Sequence, residues 1–280
     1  MVLNNAAKML EATSRTFYIP IMRLPDELKS AVTSAYLCLR AIDEIEDHPT
    51  LDNQTKAHLL QSINLIFQGQ TEGWLKQDPF EELFEDVHQL PEVSLRLHEW
   101  VVIAPPSIAP RIWDVTATMS ARMAYWAAQN WKIDSQADLD AYTFSVAGAV
   151  GLLLSDLWAW HSNVNTNRIQ AVGFGRGLQS VNILRNASED AARGVCFYPT
   201  GWSKSRMLDY AKSNLQMAED YTVALPAGGI SDFCRIPLAL AQATLATLER
   251  GEEKLRRQEV ILIVQKIVGS APAQKTSVSV

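Results

Sequence analysis

The sequence predicts an all-α fold in a single domain, and three features carry that expectation. Apolar residues recur at helical spacing over eight long segments. Sustained apolar–polar alternation is scarce, and the proline and glycine clusters fall in the gaps between periodic segments. In chain order the predicted helices span 31–46, 55–67, 110–131, 136–160, 173–190, 203–223, 233–250 and 253–268. Asp26 and Glu27, directly behind Pro25, form an acidic first turn that marks a helix start. Breakers at 78–79 (DP), 104–106 (APP), 198–201 (YPTG) and 226–229 (PAGG) separate the segments. No linker or internal repeat divides them, so residues 1–269 are expected to form one domain. Residues 270–280 (SAPAQKTSVSV) are expected to be a disordered tail.

Composition narrows the function. The chain has 280 residues, 48% of them hydrophobic and 20% charged, which suits a sizeable core. Its net charge of −6 argues against a nucleic-acid partner, which requires a basic face. A small anionic substrate needs only a local cluster of cations and stays compatible with that charge. Cys38, Cys196 and Cys234 are odd in number and show no metal-ligand spacing, so they are read as reduced thiols. No run of 18 apolar residues predicts a transmembrane segment, and the first 12 residues lack a signal-peptide core. A soluble, cytoplasmic protein is expected.

Two polar stripes could carry chemistry. In 43–47 (DEIED), Asp43, Glu46 and Asp47 lie at i, i+3 and i+4 and share a helix face. Three like charges repel, and a hard cation such as Mg²⁺ relieves that repulsion through carboxylate oxygens and substrate phosphates. The same spacing also describes a solvated acidic face, although Tyr36, Leu37, Leu39, Ile42 and Ile45 make the helix largely apolar. In the second stripe Asn182, Asn186 and Asp190 recur every four residues, flanked by Gln179 and Glu189. Oxygen donors at that period opposite a carboxylate helix suit a clamp for a metal–diphosphate group. Taken alone, such a stripe is more often a plain helix surface.

Arg15, Arg40, Arg185 and Arg193 sit in or beside these stripes, where their forks can hold phosphate oxygens or simply pair with neighbouring carboxylates. Gly148 and Gly151, three apart in a helical pattern, cost roughly 1 kcal/mol each relative to alanine. They signal either close helix packing or room for a ligand. Phe17, Tyr18, Tyr36, Tyr142, Phe144, Trp158 and Trp160 could line a pocket that favours a carbocation, or fill the core. No phosphate loop, GxSxG elbow or histidine pair offers another chemistry.

With both stripes in view, the chain resembles the squalene/phytoene synthase family over nearly its whole length. The resemblance lies in 14–17 (SRTF), 36–47 (YLCLRAIDEIED), 142–151 (YTFSVAGAVG), 179–185 (QSVNILR), 189–194 (EDAARG) and 233–237 (FCRIP). The second of these looks closer to squalene synthases, the fifth to phytoene synthases. The resemblance implies a class I isoprenoid-synthase helical bundle around a deep central cavity. It implies Asp43, Glu46 and Asp47 as ligands of the first metal motif, with Asn182, Asn186 and Asp190 in the second. Ser14, Arg15, Arg40, Arg185 and Arg193 match diphosphate-binding positions, and Tyr36 and Tyr142 match tyrosines near the developing cation. Phe17, Gly148, Gln179 and Phe233 match the substrate cavity.

The implied reaction joins two farnesyl or related diphosphates head to head through a cyclopropyl diphosphate, with two or three Mg²⁺ ions. Squalene synthases then reduce that intermediate with NADPH. Lys254, Arg256 and Arg257 fall where they carry a basic cluster. The C-terminal anchor of eukaryotic squalene synthases finds no counterpart, which points to a bacterial type, with peripheral membrane contact for release of an apolar product.

Two departures keep other outcomes open. Asn186 stands where an aspartate is usual, and Arg122 where glycine is usual. Loss of a charge at the first weakens metal binding. An arginine at the second either crowds the prenyl cavity or, by its helical phase, stays outside. One alternative is a phosphatase or terpene synthase giving farnesol or a sesquiterpene. Another is a non-catalytic protein that binds prenyl diphosphates.

Overall fold

The computed structural model describes residues 2–269 apart from 70–72, 86, 88 and 253. The expected tail, 270–280, lies outside the described residues. Helices follow one another along the chain: α1 (Val2–Thr13), α2 (Arg15–Met22), α3 (Asp26–Glu46), α4 (Asn53–Gln68) and the short α5 (Glu81–Phe84), α6 (Glu92–Leu95) and α7 (Leu97–Val101). Then come α8 (Ala109–Ala128), α9 (Gln136–Thr143), α10 (Ala149–Ser162), α11 (Arg168–Ala192), α12 (Lys204–Val223), α13 (Gly229–Glu249) and α14 (Arg257–Gly269). No strand occurs among the described residues.

All eight predicted helices are present, with shifted ends. The acidic turn behind Pro25 does open α3. Asn167 extends the helix predicted from 173 back to Arg168, because its side chain accepts from the Ile169 and Gln170 amides. The helix predicted over 110–131 stops at Ala128, where the chain turns left-handed at Asn130 and Trp131. A π-turn over Phe144–Gly148 interrupts the helix predicted over 136–160. Periodicity did not reveal α1, α2 or α5–α7. Of these, α2 begins at a serine cap, Ser14, whose Oγ accepts from the Phe17 amide at 2.9 Å.

α3 runs through the middle and packs against α1, α4, α6, α7, α8 and α10. Leu28, Leu37, Cys38, Ala41, Ile42 and Ile45 along it are fully buried. Buried serines tie the bundle together by donating to carbonyls of neighbouring helices. Ser34 reaches Trp100 O at 2.7 Å, Ser94 reaches Ala41 O at 2.8 Å and Ser120 reaches Leu60 O at 2.6 Å. α11 packs on α12, α10 and α13 in the other half.

Glycines set the approach of α10 to α11. A Cβ at Gly151 would lie 2.0 Å from Ala171 O, and one at Gly175 would lie 2.2 Å from Ala147 O. Close packing is therefore what these glycines allow. By length and composition the continuous stretch Gln136–Ser162 is apolar enough to cross a membrane. In the bundle it is an inner helix against α3, α8 and α11.

Candidate active site

Between α2, α3, α8, α10, α11 and α13 lies a cavity of about 300 Å³. Its depth is apolar and sulfur-rich: Ile21, Val32, Ala35, Leu39, Met119, Met123, Val150, Leu153, Leu154, Trp158 and Cys234. Aromatic rings form one wall. Phe17 lies 5.9 Å from both Tyr36 and Phe233, and Trp158 meets Phe233 edge-on at 5.5 Å. Polar groups gather on the other side: Arg40 and Asp43 from α3, Gln179 and Asn182 from α11. The two stripes thus reach one cavity through Asp43 and through Gln179 and Asn182, while Glu46, Asp47, Asn186 and Asp190 lie off its wall.

The first stripe is built on the last turns of α3. Arg40 Nη1 donates to Asp43 Oδ2 at 2.6 Å, and Nη2 donates to Glu44. Its Nε is buried with no hydrogen-bond partner. Burial, and next the neighbouring Asp47, push the Asp43 carboxyl up to about 7 against the pull of Arg40. Asp47 caps the helix and is exposed. Glu46 points elsewhere: it is 4% exposed and its Oε1 accepts from Trp131 Nε1 at 2.8 Å. Burial lifts it to about 8 despite that bond.

The second stripe faces the first through Asp190 and Arg193. Arg193 Nη2 donates to the buried Asp190 at 2.5 Å, and Nη1 lies 3.8 Å from Asp47 Oδ1. Tyr142 is buried and stacked on Phe197 at 4.7 Å. Burial, and then the carboxylates of Glu46, Asp47, Asp43 and Asp190, push its phenol well above the usual range.

Several expected site residues lie off the cavity wall. Arg185 is exposed and its Nε donates to Asn186 Oδ1 at 3.0 Å. Gly148 sits under Phe144 and Val172, because the π-turn shifts the helical phase and turns Ala147 and Gly151 inward instead. Arg122 lies with its guanidinium 4.8 Å over the Phe144 ring. Its neighbours Met119 and Met123 take the cavity face, so the arginine does not crowd it. Arg15 opens α2, and Ser14 caps that helix beside Tyr36. Helical spacing gives no sign of Trp131, whose contact with Glu46 depends on a left-handed turn.

The donor set suits a hard cation. Asp43 and Asp47 stand one turn apart, and the Asp47 charge opposes ionisation of Asp43, a repulsion that a divalent ion would relieve. Among the described residues, no three acidic, histidine or cysteine groups already converge as a metal cage.

An all-helical bundle around an apolar cavity, with Arg40, Asp43, Gln179 and Asn182 on its wall, has the architecture of the class I isoprenoid synthases. The chain belongs to the squalene/phytoene synthase family, whose model matches residues 10–206. It is 28% identical to squalene synthase of Schizosaccharomyces pombe over 92% of its length, covering 63% of that protein. To the Homo sapiens squalene synthase it is 27% identical over 94% of its length, covering 69%. The chain therefore spans about two thirds of these relatives. Among solved structures, the complex of TcSQS with the ligand E5700 superimposes with a TM-score of 0.74 at 22% identity, covering 94% of this chain and 85% of that one. A dehydrosqualene synthase complex gives a TM-score of 0.61 at 18% identity, covering 96% and 95%.

Proposed function

We propose that this protein joins two farnesyl-type diphosphates head to head, releasing diphosphate and forming a presqualene- or squalene-type C30 product. The observation that carries the reading is a single cavity with an apolar, aromatic depth and a rim shared by both polar stripes. A prenyl tail suits the depth, and a diphosphate suits the rim. Asp43 and Asp47 from α3, with Asp190, Asn186 and Asn182 from α11, would hold two or three Mg²⁺ ions. Bound there, Mg²⁺ supplies positive charge to the leaving diphosphate.

The chain's own residues do the rest. Arg40 has a buried Nε with no protein partner, an open donor for a phosphate oxygen. Arg193 already bridges the two stripes and can exchange a carboxylate for the diphosphate. Phe17, Tyr36, Phe233 and Trp158 line the path of the developing allylic cation, stabilise it through their ring faces and exclude water. NADPH would serve the reductive step if squalene is the product.

A second reading is turnover of one prenyl diphosphate to farnesol or a C15 hydrocarbon. It is favoured by the cavity's volume of about 300 Å³, at the low end for ligand pockets. Asn186 favours it as well, through the charge it withholds from the second stripe. Product analysis separates the two. Purified protein is incubated with farnesyl diphosphate, Mg²⁺ and NADPH, beside a matched EDTA control. A Mg²⁺-dependent C30 hydrocarbon or cyclopropyl diphosphate supports condensation. C15 products alone overturn it in favour of the second reading, and binding without diphosphate release means a non-catalytic binder.

A further inference from the structure

α8 ends in an uncommon way. Asn130 and Trp131 both stand in left-handed backbone conformation, at φ 52° and 49°. Asparagine tolerates that region, but a bulky side chain there is a genuine outlier that its surroundings must enforce. Three contacts enforce it. The Trp131 amide donates to Trp126 O at 2.9 Å. Asn130 Oδ1 accepts from Asn53 Nδ2 at 2.6 Å, which ties the turn to the start of α4. Lys56 Nζ, one turn further along α4, sits 5.3 Å from the centre of the Trp131 ring.

The strained turn delivers one group to one place. The indole Nε1 donates to Glu46 Oε1 at 2.8 Å, joining residues 85 apart in sequence. Glu46 lies in the last turn of α3, between Asp43 and Asp47. That turn ends at Asp47, the helix cap, so the rim acids stand where a helix would otherwise fray. Backbone strain that ends on the motif's own buried carboxylate, and is braced from a third helix, is more than a core plug needs.

We propose that Trp131 is a positioning residue for the first acidic motif: through Glu46 it fixes the last turn of α3, and so the aim of Asp43 and Asp47 toward the cation and diphosphate. The proposal rests on the reading of this cavity as a metal–diphosphate site. On it, Glu46 acts as the motif's buried strut. Partners that orient metal ligands typically change metal affinity 10- to 100-fold when removed.

The test is binding by the full-length chain. Inorganic pyrophosphate with excess Mg²⁺ is titrated by calorimetry, Mn²⁺ binding is followed by electron paramagnetic resonance, and melting is followed by circular dichroism. Trp131→Phe keeps the ring and removes the donor. It is expected to weaken both ligands about tenfold while keeping a cooperative melt. Glu46→Ala removes the acceptor and should give the same loss, which covers the case that Trp131→Phe folds poorly. Glu46→Gln, which still accepts from the indole, should recover most of it. The double variant Trp131→Phe/Glu46→Ala should bind no more weakly than either single one. Wild-type affinity in a folded Trp131→Phe, or additive losses in the double variant, overturns the positioning role alone. A wild type that binds neither pyrophosphate nor Mn²⁺ overturns the reading of the site, and this proposal with it.

Discussion

The guanidinium of Arg193 lies 3.8 Å from the carboxylate of Asp47, across the gap between α11 and the end of α3. Its other nitrogen donates to Asp190 at 2.5 Å, so one cation links the two acidic stripes. The arrangement ties the end of α3 to α11, and on the proposed function it puts an arginine beside the diphosphate.

Arg193→Gln should therefore act on binding more than on stability. The Arg193 side chain is 49% exposed, which weakens its ion pairs, and the glutamine amide keeps a donor for the buried Asp190. A hydrogen bond to a charged group is worth about 1.5–3 kcal/mol, or roughly a 10- to 100-fold loss in apparent affinity. Steady-state diphosphate release should show KM for the prenyl diphosphate rising in that range, with little change in Tm. An unchanged KM would place Arg193 outside the substrate's reach.

Glu46 gives a pH dependence whose sign can be worked out. Its folded pKa, about 8, lies above its ordinary 4.5, so ionisation opposes folding. The stability it contributes is complete below about 4.5 and is lost as pH rises through about 8. Glu46→Gln keeps an acceptor for Trp131 and cannot ionise. In EDTA, its Tm advantage over wild type should be small near pH 5 and widen toward pH 9. A constant difference across that range would contradict the burial of this charge.

The helices were legible because α3, α8, α11 and α13 each carry a regular apolar face, and the turns between them hold proline or glycine. Both polar stripes were legible too, because residues four apart on a helix share a face whatever the tertiary fold does. What sequence spacing did not reveal depends on through-space geometry. Glu46 shares a face with Asp43 on paper, yet the Trp131 indole draws its carboxylate aside. Gly148 belongs to the right motif, yet the π-turn changes which residues look inward. Arg185 reads as a phosphate ligand at i+3 from Asn182, yet it lies exposed beside Asn186. The short helices α5–α7 hold too few turns for a period to register.

Gly175→Ala tests the packing that forms the cavity's far side. The added methyl would meet Ala147 O at 2.2 Å, and backbone at the π-turn cannot step aside as a side-chain tip would. Overpacking of this kind typically costs about 1–3 kcal/mol. Urea denaturation should show a lower midpoint with the same slope. Gly175 lies on the cavity wall beside Ala147, so turnover should fall as well. Wild-type stability would mean that α10 and α11 separate more easily than their contact implies.

Asn186→Asp tests the departure from the aspartate expected in the second stripe. Asn186 is half-buried on α11, and its Oδ1 accepts from Arg185 Nε at 3.0 Å, a partner that welcomes a carboxylate equally well. The substitution keeps shape and adds one negative charge to the stripe that ends in Asp190. If that stripe binds the cation, the Mg²⁺ concentration for half-maximal diphosphate release should fall, by about tenfold if the new charge adds about 1.4 kcal/mol. Melting temperature should barely move, because Arg185 offsets the added charge. If the wild type gives C15 products, the variant should shift part of its output toward C30, since a more tightly held diphosphate keeps the intermediate in place for the second step. Unchanged Mg²⁺ dependence and products would make Asn186 an ordinary surface residue and leave the second stripe's metal chemistry to Asp190 and Asn182.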